Sequence, residues 1–340
     1  MKKMIGLDKL PALWEQLSAE GPLYLPIEER GVVCFKPWYE GAVVRLDALN
    51  GVVPPKDIFL PREETYMRYQ GGSQTLEIEA VSPGPDDKAT LFGVHPCDLK
   101  AVEMLDRVYI DQEPGDSLYR RRRENATVVA LACSSPDPFC FCNLFEVDPA
   151  DAPGADIMAY LSEQSLYLET RTEKGETMLA KAESLISDAK DEPERPREVK
   201  TTDFGLYLEG LSDNLKERFD DPAWDNLYKS CLSCGVCTYV CPTCYCFDVE
   251  DFGHEGAGER FRCWDSCMFG HFTQMAGGHN PRPDRKERVR QRFLHKLQYY
   301  PQTYGEIACV GCGRCLRSCP VNLDIVQAVK ALGGEAVEQR

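Results

Sequence analysis

No run in this chain approaches the ~20 consecutive apolar residues that a membrane span requires. The start, Met1 to Gly6, carries two lysines but no apolar core behind them, so no secretory leader is expected and the cytoplasm is the expected compartment. Positive charge is short as well. Thirty-nine Lys and Arg stand against 55 Asp and Glu, a net charge of −16, and an acidic surface repels nucleic-acid phosphate. Neither the glycine fingerprint of a dinucleotide site nor a phosphate-binding P-loop occurs, so no motif points to a bound nicotinamide or flavin. No Ser/His/Asp constellation can be argued either.

Cysteine is what the chain has in excess. Of 17 cysteines, 12 lie between Cys231 and Cys319. A disulfide framework suits a small secreted domain, whereas 340 residues, an odd count and tight repeated spacings suit metal ligation. Cys231, Cys234, Cys237 and Cys241, followed by Pro242, repeat in spacing as Cys309, Cys312, Cys315 and Cys319, followed by Pro320. Each run places three thiols two residues apart and a fourth three residues on, at the expected start of a helix, a pattern that wraps one [4Fe-4S] cubane. In two-cluster ferredoxins the fourth cysteine crosses to the other cluster. One cluster then takes Cys231, Cys234, Cys237 and Cys319, and the other Cys309, Cys312, Cys315 and Cys241. Gly235, Gly311 and Gly313 are expected at positive φ, letting backbone N–H groups face the sulfurs. Zinc is the competing ligand, but its sites use four ligands in two separated pairs. Two neighbouring clusters serve to move single electrons.

The fold class expected is α+β. Residues 1–190 read as an α/β domain, 191–200 as a charged, proline-containing linker, and 201–340 as a mainly helical, ferredoxin-like domain for two [4Fe-4S] clusters, with a long insertion between its halves. Ala89–His95 and Thr127–Ala132 read as buried strands flanking a helix over 98–109, a βαβ unit with parallel strands. A hairpin is expected over 157–178 around a turn at 172–175, then a helix over 177–190. Residues 284–298 predict a helix with an Asp284/Glu287 capping box and an apolar stripe of Val289, Phe293 and Leu297. Its cations Arg285, Lys286, Arg288, Arg290, Arg292 and Lys296 read first as a solvated face and second as charge balance for anionic clusters or docking to an acidic partner. Arg120 to Arg123 read as a solvated turn. His271, His279 and His295 receive no role.

Cys97 follows the first predicted strand. Cys133 follows the second, and Cys140 and Cys142 share its loop. Ligand sites gather beyond the carboxyl ends of parallel strands, so these four thiols are expected to meet in a third [4Fe-4S] site. Buried structural cysteines with a reactive pair, or zinc, are the alternatives. Cys244, Cys246, Cys263 and Cys267 are spare thiols that could hold a further cluster or line the first. Cys34 reads as a core cysteine.

These residues resemble the β subunit of cytoplasmic NAD(P)-linked [NiFe] hydrogenases (sulfhydrogenases) and the corresponding iron–sulfur subunit of anaerobic sulfite reductase. The resemblance runs through Cys231–Asp248, Trp264–Met268, Gly277–His279, His295–Lys296 and Cys309–Cys315, and upstream through Gly93–Asp98 and Cys140–Cys142. It implies counterparts for Cys97, Cys133, Cys140, Cys142, Cys244, Cys246 and Cys267, and less regularly for Cys263. It also implies an electron-transfer role between a flavin-containing, NAD(P)H-reactive subunit and a catalytic redox subunit, without a catalytic site in this chain. Low-potential one-electron couples, on the order of −400 mV, are then expected. Two other readings compete. One is a sulfur-compound reductase subunit with its own open iron site. The other is an oxygen-sensing structural iron–sulfur protein.

Overall fold

The computed structural model describes residues 1–72, 75–81, 88–189 and 199–333. Most of the expected linker, 191–200, lies outside the described residues. The chain separates into two compact units. The first comprises Met1–Phe59, Pro83–Thr201 and the short segment Val310–Cys312, and the second Leu60–Ser82, Thr202–Cys309 and Gly313–Arg340. The division is not a single cut at the linker, because residues 60–82 group with the C-terminal segments.

Twelve strands carry the two sheets among the described residues: β1 Lys2–Gly6, β2 Leu23–Glu29, β3 Val32–Pro37, β4 Glu63–Gly71, β5 Leu76–Ala80, β6 Ala89–Val94, β7 Ala126–Leu131, β8 Ile157–Leu161, β9 Ser165–Thr170, β10 Ser187–Asp188, β11 Phe247–His254 and β12 Ala257–Trp264. The first unit holds an eight-stranded mixed sheet in the order β10-β1-β9-β8-β7-β6-β2-β3. Its centre, β2-β6-β7-β8, is parallel. Leu91, Phe92, Val128, Val129, Ile157 and Ala159 are buried there, as expected for strands covered on both faces. The helix Pro96–Tyr109 follows β6 directly, with proline at its start, where its missing N–H costs nothing. The expected βαβ unit is present.

Three local readings change. Residues 157–170 do form a hairpin, but it turns between β8 and β9. Thr172 instead caps a helix, Glu173–Lys181, its hydroxyl accepting from the Gly175 N–H at 3.3 Å, so the helix expected over 177–190 starts earlier and ends at Lys181, and Ser187–Asp188 is the strand β10. Arg120 to Arg123 belong to the helix Ser117–Asn125 and are anchored: Arg123 pairs with Asp106 at 2.9 Å, and Arg122 donates to the Phe59 carbonyl at 3.2 Å.

The second unit is less helical than expected. β11 and β12 form a hairpin within the insertion, and β12 also pairs with β4, giving an antiparallel sheet in the order β11-β12-β4-β5. Arg262 on β12 and Glu64 on β4 join these distant segments. Their side chains are 9% and 5% exposed, with Arg262 Nε 2.7 Å from Glu64 Oε2. Truncating one partner of a buried pair leaves the other charge uncompensated. Glu64→Ala should therefore destabilise the second unit by about 3–5 kcal/mol, and Glu64→Gln by less. Urea unfolding followed by circular dichroism tests this; equal stability of Glu64→Ala and wild type would refute the role given to the pair.

Candidate iron–sulfur sites

No disulfide joins any of the 17 cysteines. In the first unit, the carboxyl ends of β6 and β7 deliver Cys97 and Cys133 to one small cavity. The loop after β7 returns Cys140 and Cys142 to the same wall, so all four expected thiols line it. A fifth cysteine, Cys312, lines it as well. Asn50 holds this wall together, its amide donating to the Cys312 carbonyl at 3.0 Å and lying 3.8 Å from Cys140 Sγ. The Phe141 N–H donates to the Gly311 carbonyl at 2.8 Å. Gly311 has φ of +61°, and a Cβ there would sit 2.5 Å from the Phe141 carbonyl carbon, so only glycine allows this approach.

Burial pushes the Cys140 thiol up to about 11 and Cys142 up to about 12, and raises Cys133. No Lys or Arg lines the cavity among the described residues. Thiols so placed stay protonated until a cation displaces the protons, which is what iron does. The donor set therefore fits a cluster, whose irons would supply the missing positive charge. Among the described residues, no group of three or more His, Cys, Asp or Glu is gathered to hold a single metal ion.

In the second unit, Gly235 and Gly313 both have φ of +73° and N-cap the short helices Val236–Tyr239 and Arg314–Ser318. The fourth cysteines, Cys241 and Cys319, follow these helices rather than opening new ones, contrary to expectation. Backbone N–H groups face sulfur as expected: Ser233 donates to Cys231 Sγ at 3.4 Å and Leu323 to Cys319 Sγ at 3.2 Å.

The helix Arg285–Leu294 has the expected capping box and continues as a π-helical turn, His295–Tyr299. Its cations do not form one solvated face. Arg285 is exposed, Lys286 is half-buried and pairs with Asp225 at 2.8 Å, and Arg290 lies over the Phe219 ring, its side chain 13% exposed, and pairs with Asp220 at 3.2 Å. Arg288, Arg292 and Lys296, spaced by four, are buried. Lys296 Nζ lies 3.3 Å from Cys241 Sγ and donates to Thr243 Oγ1 at 2.7 Å and the Ala308 carbonyl at 3.0 Å. Burial disfavours its charge, yet the thiols of Cys241, Cys244 and Cys309 outweigh that and hold it protonated. Arg292 is held charged in the same way by Cys237, Cys315, Cys244 and Cys241. Its Nε is buried without a hydrogen-bond partner among the described residues. An orphaned guanidinium N–H among thiols fits an anionic group between them.

The spare cysteines separate. Cys244 shares a hydrogen bond with Cys241, and Cys267 with Cys246, and both contacts raise the thiols. Cys263 sits on β12 opposite Asp248, with Asp248, Glu250, Asp265 and Glu63 as its charged neighbours. Cys34 is half-buried on β3.

The chain is 32% identical, over 329 residues and 95% of each sequence, to sulfhydrogenase 2 subunit beta of Pyrococcus furiosus. It belongs to the sulfhydrogenase β-subunit family. Residues 230–323 match the 4Fe-4S dicluster domain, so both cysteine repeats fall inside it. No solved structure matches the chain. The chain is thus an iron–sulfur electron-transfer subunit carrying [4Fe-4S] clusters. No helix among the described residues is long and apolar enough to cross a membrane.

His295 adds a pH dependence. It shares a hydrogen bond with the Tyr245 hydroxyl at 3.1 Å, and burial, helped by Lys296 and Arg282, lowers it to about 4. The unfolded chain takes up a proton near pH 6.5 that the native state refuses until about pH 4. Stability is therefore full above pH 6.5 and falls as pH drops through that window. Between pH 7 and pH 5 the loss should be about 2 kcal/mol, from ~1.4 kcal/mol per unit. His295→Gln should lose that slope, as read from urea midpoints at the two pH values; parallel slopes would rule the assignment out.

Proposed function

We propose that this subunit relays single electrons between a flavin-containing, NAD(P)H-reactive subunit and a catalytic redox subunit of a cytoplasmic complex, through three [4Fe-4S] clusters. The C-terminal pair is ligated in the crossed sets that the spacing assigns: Cys231, Cys234, Cys237 and Cys319, and Cys309, Cys312, Cys315 and Cys241. Support for the second set comes from Lys296, which draws on thiols from both halves of the repeat, Cys241 and Cys309. The third cluster takes Cys97, Cys133, Cys140 and Cys142.

The observation that carries the relay is Cys312. It is a ligand of the C-terminal pair by spacing, and it lines the cavity of the N-terminal thiols, its carbonyl 3.7 Å from Cys140 Sγ. A cluster in that cavity would have a ligand of the next cluster in its wall. Each cluster supplies a reversible one-electron couple when bound. The chain's own part is to hold the thiols, exclude water and set the local charge. Four thiols in the cavity leave a cubane no iron without a protein ligand, which speaks against an open iron site for a sulfur substrate.

Anaerobic purification with iron and acid-labile sulfide counts should give about twelve irons per chain, at four per cubane. Cys140→Ser with Cys142→Ser should give about eight and abolish electron passage to an added acceptor subunit while leaving the C-terminal signals. About eight irons in the wild type would remove the third cluster. Zinc without labile sulfide would remove all three.

A further inference from the structure

Lys296 stands on a π-helical turn, a local widening of the helix that recurs where a side chain must be re-aimed. The turn carries its ammonium to full burial, 3.3 Å from Cys241 Sγ. Two oxygens, Thr243 Oγ1 and the Ala308 carbonyl, fix the remaining donors, so the ammonium cannot swing away. Thr243 is itself buried and donates to the same Ala308 carbonyl at 2.8 Å. The arrangement is one-sided. The sulfur its ammonium touches is Cys241, and the thiols that act most on its charge are Cys241, Cys244 and Cys309. Arg292, one helical turn earlier, is acted on electrostatically by thiols of both runs, Cys237 and Cys315 most strongly.

We propose that Lys296 makes the cluster ligated by Cys241 and Cys309 the easier of the two C-terminal clusters to reduce, and so sets the order in which electrons occupy the pair. Reduction adds one negative charge to a cluster. A fixed cation in a low-dielectric site stabilises that charge, and an N–H···S bond to a ligating sulfur adds to the effect. Arg292 acts on both clusters and raises them together, whereas Lys296 acts on one. Lys296 is a positioning residue for charge and touches no substrate. The inference rests on the [4Fe-4S] reading.

The test is an anaerobic EPR redox titration of the whole chain, with iron and sulfide counted in every sample. Lys296→Gln keeps a donor and removes the charge. It should shift one C-terminal midpoint downward by about tenfold in the reduction equilibrium, 59 mV for one electron, and the other by less than threefold. Lys296→Arg should stay within threefold of wild type at both. Arg292→Gln should lower both midpoints together, by at least threefold. A full complement of iron in Lys296→Gln with unmoved or equally moved midpoints overturns the proposal. If Lys296→Gln fails to fill its clusters, the difference between the two midpoints in Arg292→Gln decides. A preserved gap between the two signals supports selective control by the remaining lysine, and a collapsed gap overturns it. Absence of iron in the wild type would instead defeat the underlying reading.

Discussion

Thiolates gathered around a cluster are a concentration of negative charge, and negative charge drawn out of water needs positive charge beside it. This constraint organises the molecule. The first unit gathers thiols at the carboxyl edge of a parallel sheet in a cavity with no Lys or Arg on its wall among the described residues, so in the proposed third site the irons would supply the positive charge. In the second unit, the protein itself brings cations in, through Arg292 and Lys296 on one buried helix face. Under the proposed function, these two ways of supplying charge imply different electrostatic environments, and hence cluster potentials that need not be equal.

The helix from Arg285 shows how the constraint shapes local structure. Val289, Phe293 and Leu297 bury one stripe, and Arg288, Arg292 and Lys296 lie one residue earlier on each turn. Arg288 donates to the Arg282 and Pro283 carbonyls, at 3.1 and 2.6 Å, whereas burying Arg292 and Lys296 beside an apolar stripe would be ruinous without anions to meet them. The capping box starts the helix firmly, and the π turn re-aims its end toward Cys241. The same face serves as hydrophobic core and as counter-charge.

Much of this is legible from residues alone, and the exceptions have physical causes. Spacing rules reveal both cysteine runs and the glycines at positive φ because ligand geometry is local. The βαβ unit is legible because its strands are continuous apolar runs. The hairpin of β11 and β12 is not, since every residue of β11 is exposed and no half-buried alternation marks it. Its neighbour β4 lies far upstream, at Glu63–Gly71, and no local pattern signals such a pairing. The expected turn at 172–175 gives way to a helix start because Thr172, Glu173 and Gly175 suit a cap as well as a turn. The buried cations suit a solvated face on residue type alone, as most lysines and arginines do. Their four-residue spacing beside the apolar stripe is the available sign of burial. Nothing local marks Asn50, whose partners Cys140 and Cys312 are far away in sequence.

The account depends on clusters close enough to one another for electrons to pass. The most direct measurement is the EPR spectrum of the fully reduced chain compared with that of the partly reduced chain. Neighbouring paramagnetic clusters couple magnetically, so full reduction should broaden and split the signals that appear singly at partial reduction. Signals that simply add, each keeping its isolated line shape at full reduction, would contradict the relay.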